Sequence, residues 1–309
     1  MDTRPSPGGS RWADLGDHVH YLDFGGPQGG PVVVAVHGLG GSALNWLAVA
    51  PLLTGRCRVL APDLGGHGLT RTRERRAGVA ANRLLLHRFV EQVAGAPVIL
   101  MGNSMGGMIS LLEAAAHPEA VAGLVLLDAA GPFGRALPDP VVAAVFALYG
   151  MPWVGTAVMA RRRAIPAETA VGLMLRLCCV DPARVPPGVV AEHVRLARHR
   201  AELEHSGQDF LQAARSVVRT AAGLSYRAAA RSVRAPALLV HGERDRLVPV
   251  SASRALARAH PSWQLVVLDA VGHTPQLEAP GETADAVLSW LDGQEPAVRA
   301  ARHPLARQE

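Results

Sequence analysis

One turn constrains this chain more than any other stretch. Ala96-Pro97-Val98-Ile99-Leu100-Met101 is a short apolar run, Gly102-Asn103-Ser104-Met105-Gly106-Gly107 follows at once, and Met108-Ile109-Ser110-Leu111-Leu112-Glu113-Ala114-Ala115-Ala116 reads as a helix that stops before Pro118. An apolar run too short for a helix and ended by glycines is a buried strand. The backbone must therefore pass from strand to helix within a few residues, with Ser104 at the apex. Gly102 and Gly106 have no Cβ, so strand and helix can close on each other around a strained serine. Gly-x-Ser-x-Gly in that setting is a nucleophile elbow. The new helix N-terminus offers free N–H groups and a positive dipole end to any oxyanion formed there. Ser104 is accordingly the predicted nucleophile.

The same pattern recurs along the chain. Val32–Val36, Val59–Ala61, Val98–Met101, Leu124–Leu127, Ala237–Val240 and Leu265–Leu268 are short and apolar, as buried parallel strands are. Helix-length segments such as Ala80–Ala94 and Ala252–Ala259 separate them. Two further extended segments precede them, ending near Phe24. The expected fold is a mostly parallel α/β sheet covered on both faces. The alternation stops between about Gly131 and Pro236, where helical patterns such as Val190–Glu204 and Asp209–Ala222 replace it. That reads as a helical cap, residues 131–235, inserted into a main domain of residues 1–130 and 236–293. Residues 1–10 are expected to be a flexible leader and 294–309 a frayed tail.

Composition narrows the chemistry. Of 309 residues, 49% are hydrophobic and 18% charged, so a large core is expected. All 31 basic residues are Arg. Without Lys there can be no Ser–Lys dyad, Schiff-base lysine or P-loop lysine. The net charge of +5 is scattered, with no basic stripe interleaved with aromatics, so nucleic acid is not an expected partner. Cys57, Cys178 and Cys179 form no framework, which suits a reducing compartment. The polar segment Met1–Trp12 has no apolar signal core, and a cytoplasmic location is expected.

A serine nucleophile needs a base, a group to orient it, and donors for the oxyanion. His273 follows the strand Leu265–Leu268 and Gly272, and is the predicted base. Asp245 lies just past the carboxyl end of Ala237–Val240, where active-site groups of open α/β sheets gather, and is the predicted acid. Asp128 ends the strand Leu124–Leu127 and is a second candidate for that role. Asp63 and Asp269 read as turn and capping carboxylates. The predicted oxyanion donors are the backbone N–H groups of Met105 and Leu39, the latter in the loop His37-Gly38-Leu39-Gly40-Gly41. His37 reads as a residue that fixes this loop.

With these motifs together, the chain resembles the capped α/β-hydrolase fold superfamily. His37–Gly41, Pro62–Gly68, Gly102–Gly107, Gly242–Asp245 and Gly272–Pro275 stand in the family's order. The resemblance implies an eight-stranded sheet and hydrolysis through an acyl-enzyme, without metal or organic cofactor. Epoxide hydrolases and haloalkane dehalogenases of this fold use an Asp nucleophile, whereas this chain has Ser104. The Gly-Asn-Ser-Met-Gly-Gly elbow is similar to that of carbon–carbon hydrolases of ring-cleavage products. Those enzymes usually carry Trp after the catalytic His, where this chain has Thr274, and a Pro where it has Gly40-Gly41. A carboxylesterase or lipase-like hydrolase of a small apolar acyl substrate is the better expectation. A carbon–carbon hydrolase, or a silent ligand-binding member, is the alternative.

The cap carries one further signal. Pro140–Ala160 holds no charge, and Arg161-Arg162-Arg163 follows. Gly150 and Pro152 break it into two expected short helices rather than a membrane span. Phe146, Tyr149, Met151, Trp153 and Met159 would then line an apolar pocket above Ser104, with transient lipid contact through the same surface. His193, His199 and His205 recur at intervals of six, which places no two of them on one helix face, so a solvated face is expected there rather than a metal site.

Overall fold

The computed structural model describes residues 9–301, apart from 75, 96, 133–138 and 204–205. Eight strands form one sheet: β1 (Gly9–Asp14), β2 (His18–Gly25), β3 (Val32–Val36), β4 (Arg58–Pro62), β5 (Val98–Asn103), β6 (Val121–Leu127), β7 (Ala237–Gly242) and β8 (Gln264–Leu268). Their order is β1-β2-β4-β3-β5-β6-β7-β8. β1 and β2 pair antiparallel, and β2 lies antiparallel to β4. From β4 to β8 every pair is parallel.

The parallel strands are apolar along their length because both faces are covered. β5 is buried throughout, and burial of each of its large side chains contributes roughly 1.5–3 kcal/mol. Side chains alternate between the two faces. Val34, Leu100 and Leu126 pack with Phe89, Ile109 and Tyr226 on one side. Val33, Ile99 and Val125 pack with Trp46, Val287 and Trp290 on the other.

Between β6 and β7 the described chain is helical: Pro140–Gly150, Pro152–Arg163, Ala167–Cys178, Pro187–Glu202, Ser206–Ala222 and Leu224–Ser232, with one 3-10 turn at Pro182–Arg184. Tyr226 and Ala230 of the last helix enter the main core, and Tyr226 Oη donates to Ala130 O at 2.8 Å. Pro140–Gly150 and Trp153–Arg161 are bent by 110°, and no single helix among the described residues is long and apolar enough to cross a membrane.

Three sequence expectations change at the edges. Gly9 and Ser10 belong to β1, because they pair with Asp23 and Leu22, while residues 1–8 lie outside the described residues. The helix at Val79 gives way at Val90 to a wider turn of π type that ends on Gly95 at φ 73°. The last helix runs from Pro280 to Ala301, past the expected end near Gln294. The helix passes through Pro296, and Ala297, Arg299, Ala300 and Ala301 beyond it are good helix formers.

Candidate active site

The loops after β3, β5, β6, β7 and β8 leave the sheet at one edge, since parallel strands end together. That edge gathers Leu39, Ser104, Asp128, Asp245 and His273. Ser104 has φ 54° and ψ −115°, a left-handed conformation that a non-glycine residue holds only when its surroundings impose it. The surroundings are tight. A Cβ on Gly106 would stand 2.0 Å from Val36 O, so only glycine lets the helix Met105–Ala116 lie this close to β3. Ser104 N donates to Leu127 O at 3.0 Å, and Ser104 O accepts from Ala130 N at 3.0 Å. The serine is half-buried, with buried residues on either side of it.

His273 Nδ1 donates to Asp245 Oδ2 at 2.7 Å, with both side chains almost fully buried. The other carboxylate oxygen, Asp245 Oδ1, accepts from Leu247 N at 2.7 Å and Val248 N at 3.1 Å. Burial would raise the Asp245 pKa, but the charge and hydrogen bonds of His273 and His241 outweigh it and hold this carboxyl well below its usual range. Of the two sequence candidates for the acid, Asp245 alone bonds the histidine. Asp128 lies beside it, its Oδ1 accepting from Gly242 N at 2.9 Å.

His273 is held from three directions. Asn103 Nδ2 donates to His273 O at 3.0 Å and to Leu127 O at 3.1 Å, tying the end of β5 to the His273 loop. His273 N donates to Cys178 O at 2.6 Å, at the end of the helix Ala167–Cys178. The buried Glu278 carboxylate accepts from Gly272 N at 2.8 Å and from Asp181 N at 2.7 Å. Sequence inspection missed Asn103, Glu278 and His241. Asn103 sits inside the elbow pentapeptide, so its place was readable. Glu278 is one of many acidic residues, and only the fold shows which donors it meets.

The loop that carries Leu39 is fixed by His37. His37 Nε2 accepts from Leu64 N at 3.0 Å, so its Nδ1 carries the proton and donates to Gly38 O at 2.8 Å. Burial lowers the His37 pKa, which keeps the ring neutral. A Cβ on Gly38 would lie 3.2 Å from Ser104 Cβ, which places the Leu39 peptide next to Ser104. Met105 opens its helix, in the turn whose N–H groups have no intrahelical acceptor. Asp63 is a turn-organising carboxylate, accepting from Ala43 N, Leu69 N and His20 Nδ1.

The five apolar residues expected over Ser104 separate. Met159 is buried, while Phe146 and Tyr149 are half-buried. Trp153 is 89% exposed and Met151 is 46% exposed, so neither walls an enclosed pocket. Trp153 lies just after the 110° bend between the two helices. Phe210, which the sequence did not flag, comes closer to the site. Its ring meets Tyr149 edge-on at 5.4 Å, and it is the atom group that a Cβ on Gly40 would touch at 3.0 Å. His193 is turned inward, with Nδ1 donating to Val189 O at 2.9 Å, rather than lying on a solvated face. His199 is exposed, and His205 lies outside the described residues.

Two clusters among the described residues have metal-ligand chemistry: His87, Glu113 and His117, and Asp128, Asp245 and His273. In the first, both Glu113 oxygens are engaged, by Arg83 and His87, and the two imidazoles stack at 3.8 Å. In the second, the histidine nitrogen facing the carboxylates is bonded to Asp245.

Residues 31–280 match the family model described as alpha/beta hydrolase fold. The chain is 29% identical to 2-hydroxy-6-oxo-6-(2'-aminophenyl)hexa-2,4-dienoic acid hydrolase of Metapseudomonas resinovorans, over 93% of this chain and 91% of that one. It is 27% identical to Lipase 1 of Psychrobacter immobilis, over 87% of this chain and 79% of the other. Among solved structures, a bacterial membrane phospholipase A shares 26% identity at a TM-score of 0.76, covering 95% of this chain and 87% of that chain.

Proposed function

Because this chain belongs to the alpha/beta hydrolase fold family, we propose that it is a serine hydrolase that cleaves carboxylic esters of small, largely apolar substrates through an acyl-enzyme. The observation that carries this reading is the buried 2.7 Å bond from His273 to Asp245, on a loop tied by Asn103 to the strained turn of Ser104. In this reading Ser104 Oγ attacks the acyl carbon while His273 Nε2 takes its proton. Asp245 holds the ring in the tautomer that leaves Nε2 unprotonated and then balances the imidazolium. The N–H groups of Leu39 and Met105 receive the oxyanion. His273 returns the proton to the leaving alcohol, and a water activated by the same ring releases the acid.

The helices between β6 and β7 act as the cap. Val141, Leu148, Met151, Trp153 and Val154 are exposed on the two bent helices, and no acidic residue occurs between Asp139 and Glu168. An apolar surface flanked by the exposed Arg161 suits contact with an anionic lipid interface. The lipase and phospholipase likenesses accord with an ester substrate. The dienoate-hydrolase likeness supports a second reading, carbon–carbon cleavage on the same residues. Thr274, in place of the Trp that usually follows the histidine in those enzymes, weighs against it.

The test is a hydrolysis panel of short and long acyl esters, with ring-cleavage dienoates, on wild type and Ser104→Ala. Ester turnover abolished by Ser104→Ala, by on the order of 10⁶, supports the reading. Turnover of dienoates alone would replace it, and no labelling of wild type by a phosphonate probe would favour a silent binding protein. Sedimentation with phosphatidylglycerol vesicles tests the lipid contact: binding lost in Trp153→Ala supports it, and no binding refutes it.

A further inference from the structure

Asp128 is a carboxyl group that nothing in the reaction as described uses. It ends β6 at φ 44°, its side chain is fully inaccessible, and its Oδ2 has no hydrogen-bond partner. Ligand oxygens of Asp128 and Asp245 and a nitrogen of His273 all lie within 4.8 Å of one another. Two ionised carboxylates cannot share such a buried space cheaply, so one of them must hold a proton.

The donors around each group decide which. Asp245 accepts from two backbone N–H groups and from His273. Asp128 accepts one short bond, from Gly242 N. Between them stands His241, whose Nε2 donates to Val248 O at 2.9 Å and lies 3.4 Å from Asp128 Oδ1 and 3.5 Å from Asp245 Oδ2. Its Nδ1 is held by Ser253 Oγ at 2.7 Å. A carboxylate is stabilised by the hydrogen bonds it accepts, so the better-supplied Asp245 is the ionised member. A carboxylic acid at Asp128 would turn its orphaned Oδ2 into a donor, and Asp245 is the acceptor beside it.

We propose that Asp128 is a positioning residue that stays protonated in the folded enzyme and donates its O–H to Asp245, so that the buried acid of the site is a two-carboxyl unit carrying one negative charge. This rests on Asp245 acting as the acid beside His273. The proton remains on Asp128 throughout and is not transferred. Its bond orients Asp245 and lowers the basicity of that carboxylate, so the proton from Ser104 stays on the imidazole. The other titratable groups around the pair are His241 on β7, His273 after β8, Glu278 in the following turn and Cys178 from the inserted helices. Burial and the Asp245 charge both raise the Asp128 pKa, in the same direction as the donor count.

Infrared difference spectra at neutral pH, with labelled aspartate, test the protonation directly. Wild type and Ser104→Ala should both show the carbonyl stretch of a buried carboxylic acid, and Asp128→Asn should lose it. Asparagine keeps the shape, tolerates the positive φ and supplies an N–H to Asp245 while its carbonyl keeps Gly242 N. Asp128→Asn should therefore retain kcat within about threefold. Asp128→Ala should lose about 10- to 100-fold in kcat with KM little changed, the worth of one hydrogen bond to a charged group. Absence of the acid band in wild type would overturn the proposal, even if Asp128→Asn failed to fold. So would an Asp128→Asn loss as large as that of Asp245→Asn. A band present with no hydrolysis of any ester would leave the pair standing and remove the ester reading instead.

Discussion

Glu278 offers a sharp test of how the histidine loop is held. Its carboxylate bridges two backbone N–H groups, Gly272 just before His273 and Asp181 from the inserted helices, and it is 1% exposed. Glu278→Gln has one acceptor oxygen where two are needed, and turns its NH₂ toward the second N–H. One buried donor is left unpaired, at a cost of about 1–3 kcal/mol. Unfolding entropy near 2.1 cal/mol/K per residue gives about 0.65 kcal/mol/K for 309 residues. Tm should then fall by about 2–5 °C, and by about 3–9 °C for Glu278→Ala, which orphans both donors. If the loop opens locally instead, the same energy appears as a loss of about 5- to 150-fold in kcat/KM, with Tm less affected. Near-UV circular dichroism melts and ester kinetics on the same samples separate the two. A Glu278→Gln protein with Tm within about 1 °C of wild type and unchanged kinetics would refute the bridge.

Further outcomes follow from other contacts. Asp245→Asn should lower kcat by about 10⁴ with the fold intact, since the asparagine amide would favour the wrong tautomer of His273; a loss under tenfold in the ester assay would exclude Asp245 as the orienting acid. Phe210→Ala should weaken long acyl esters more than acetate, at up to roughly 0.8 kcal/mol per methylene no longer covered, whereas Trp153→Ala should treat both alike because its ring is exposed. A chain-length series of kcat/KM checks both, and reversed selectivities would place the acyl chain elsewhere. Burial pushes His67 down to about 3. A base with a lowered folded pKa favours the neutral form, so stability is complete above the unfolded value near 6.5 and is lost as pH falls toward 3, at about 1.4 kcal/mol per pH unit. Asp128, raised, works in the opposite sense and loses its contribution as pH rises through its folded value. Urea melts from pH 7 to pH 5 should show the loss, and His67→Asn should flatten that slope by one proton; an equal slope in the variant would mean that His67 is not the group.

The sheet was legible in the sequence because its strands are covered on both faces. Each of Val32–Val36, Val98–Met101 and Ala237–Val240 is apolar at successive positions, and short apolar runs bounded by turn residues have few other solutions. Ser104 and His273 were legible for a local reason. The elbow needs small residues on either side of the serine, and the histidine must follow a strand end, so their neighbours announce them. The sequence favoured Asp245 over Asp128, but both end a strand at the same edge, and no residue pattern shows which one reaches the histidine. The bond to His273 Nδ1 is a contact across 28 residues and two strands. The outward turn of Trp153 and the approach of Phe210 to Gly40 escaped the sequence likewise, because a helix of mixed apolar residues does not encode which face its neighbour will cover. Residue order alone thus determined the elbow, the parallel sheet and the edge where chemistry gathers. Only tertiary packing set the bond between His273 and Asp245, the clamp of Glu278 on the His273 loop, and the approach of Phe210 to Gly40, since each depends on distances between segments far apart in the chain.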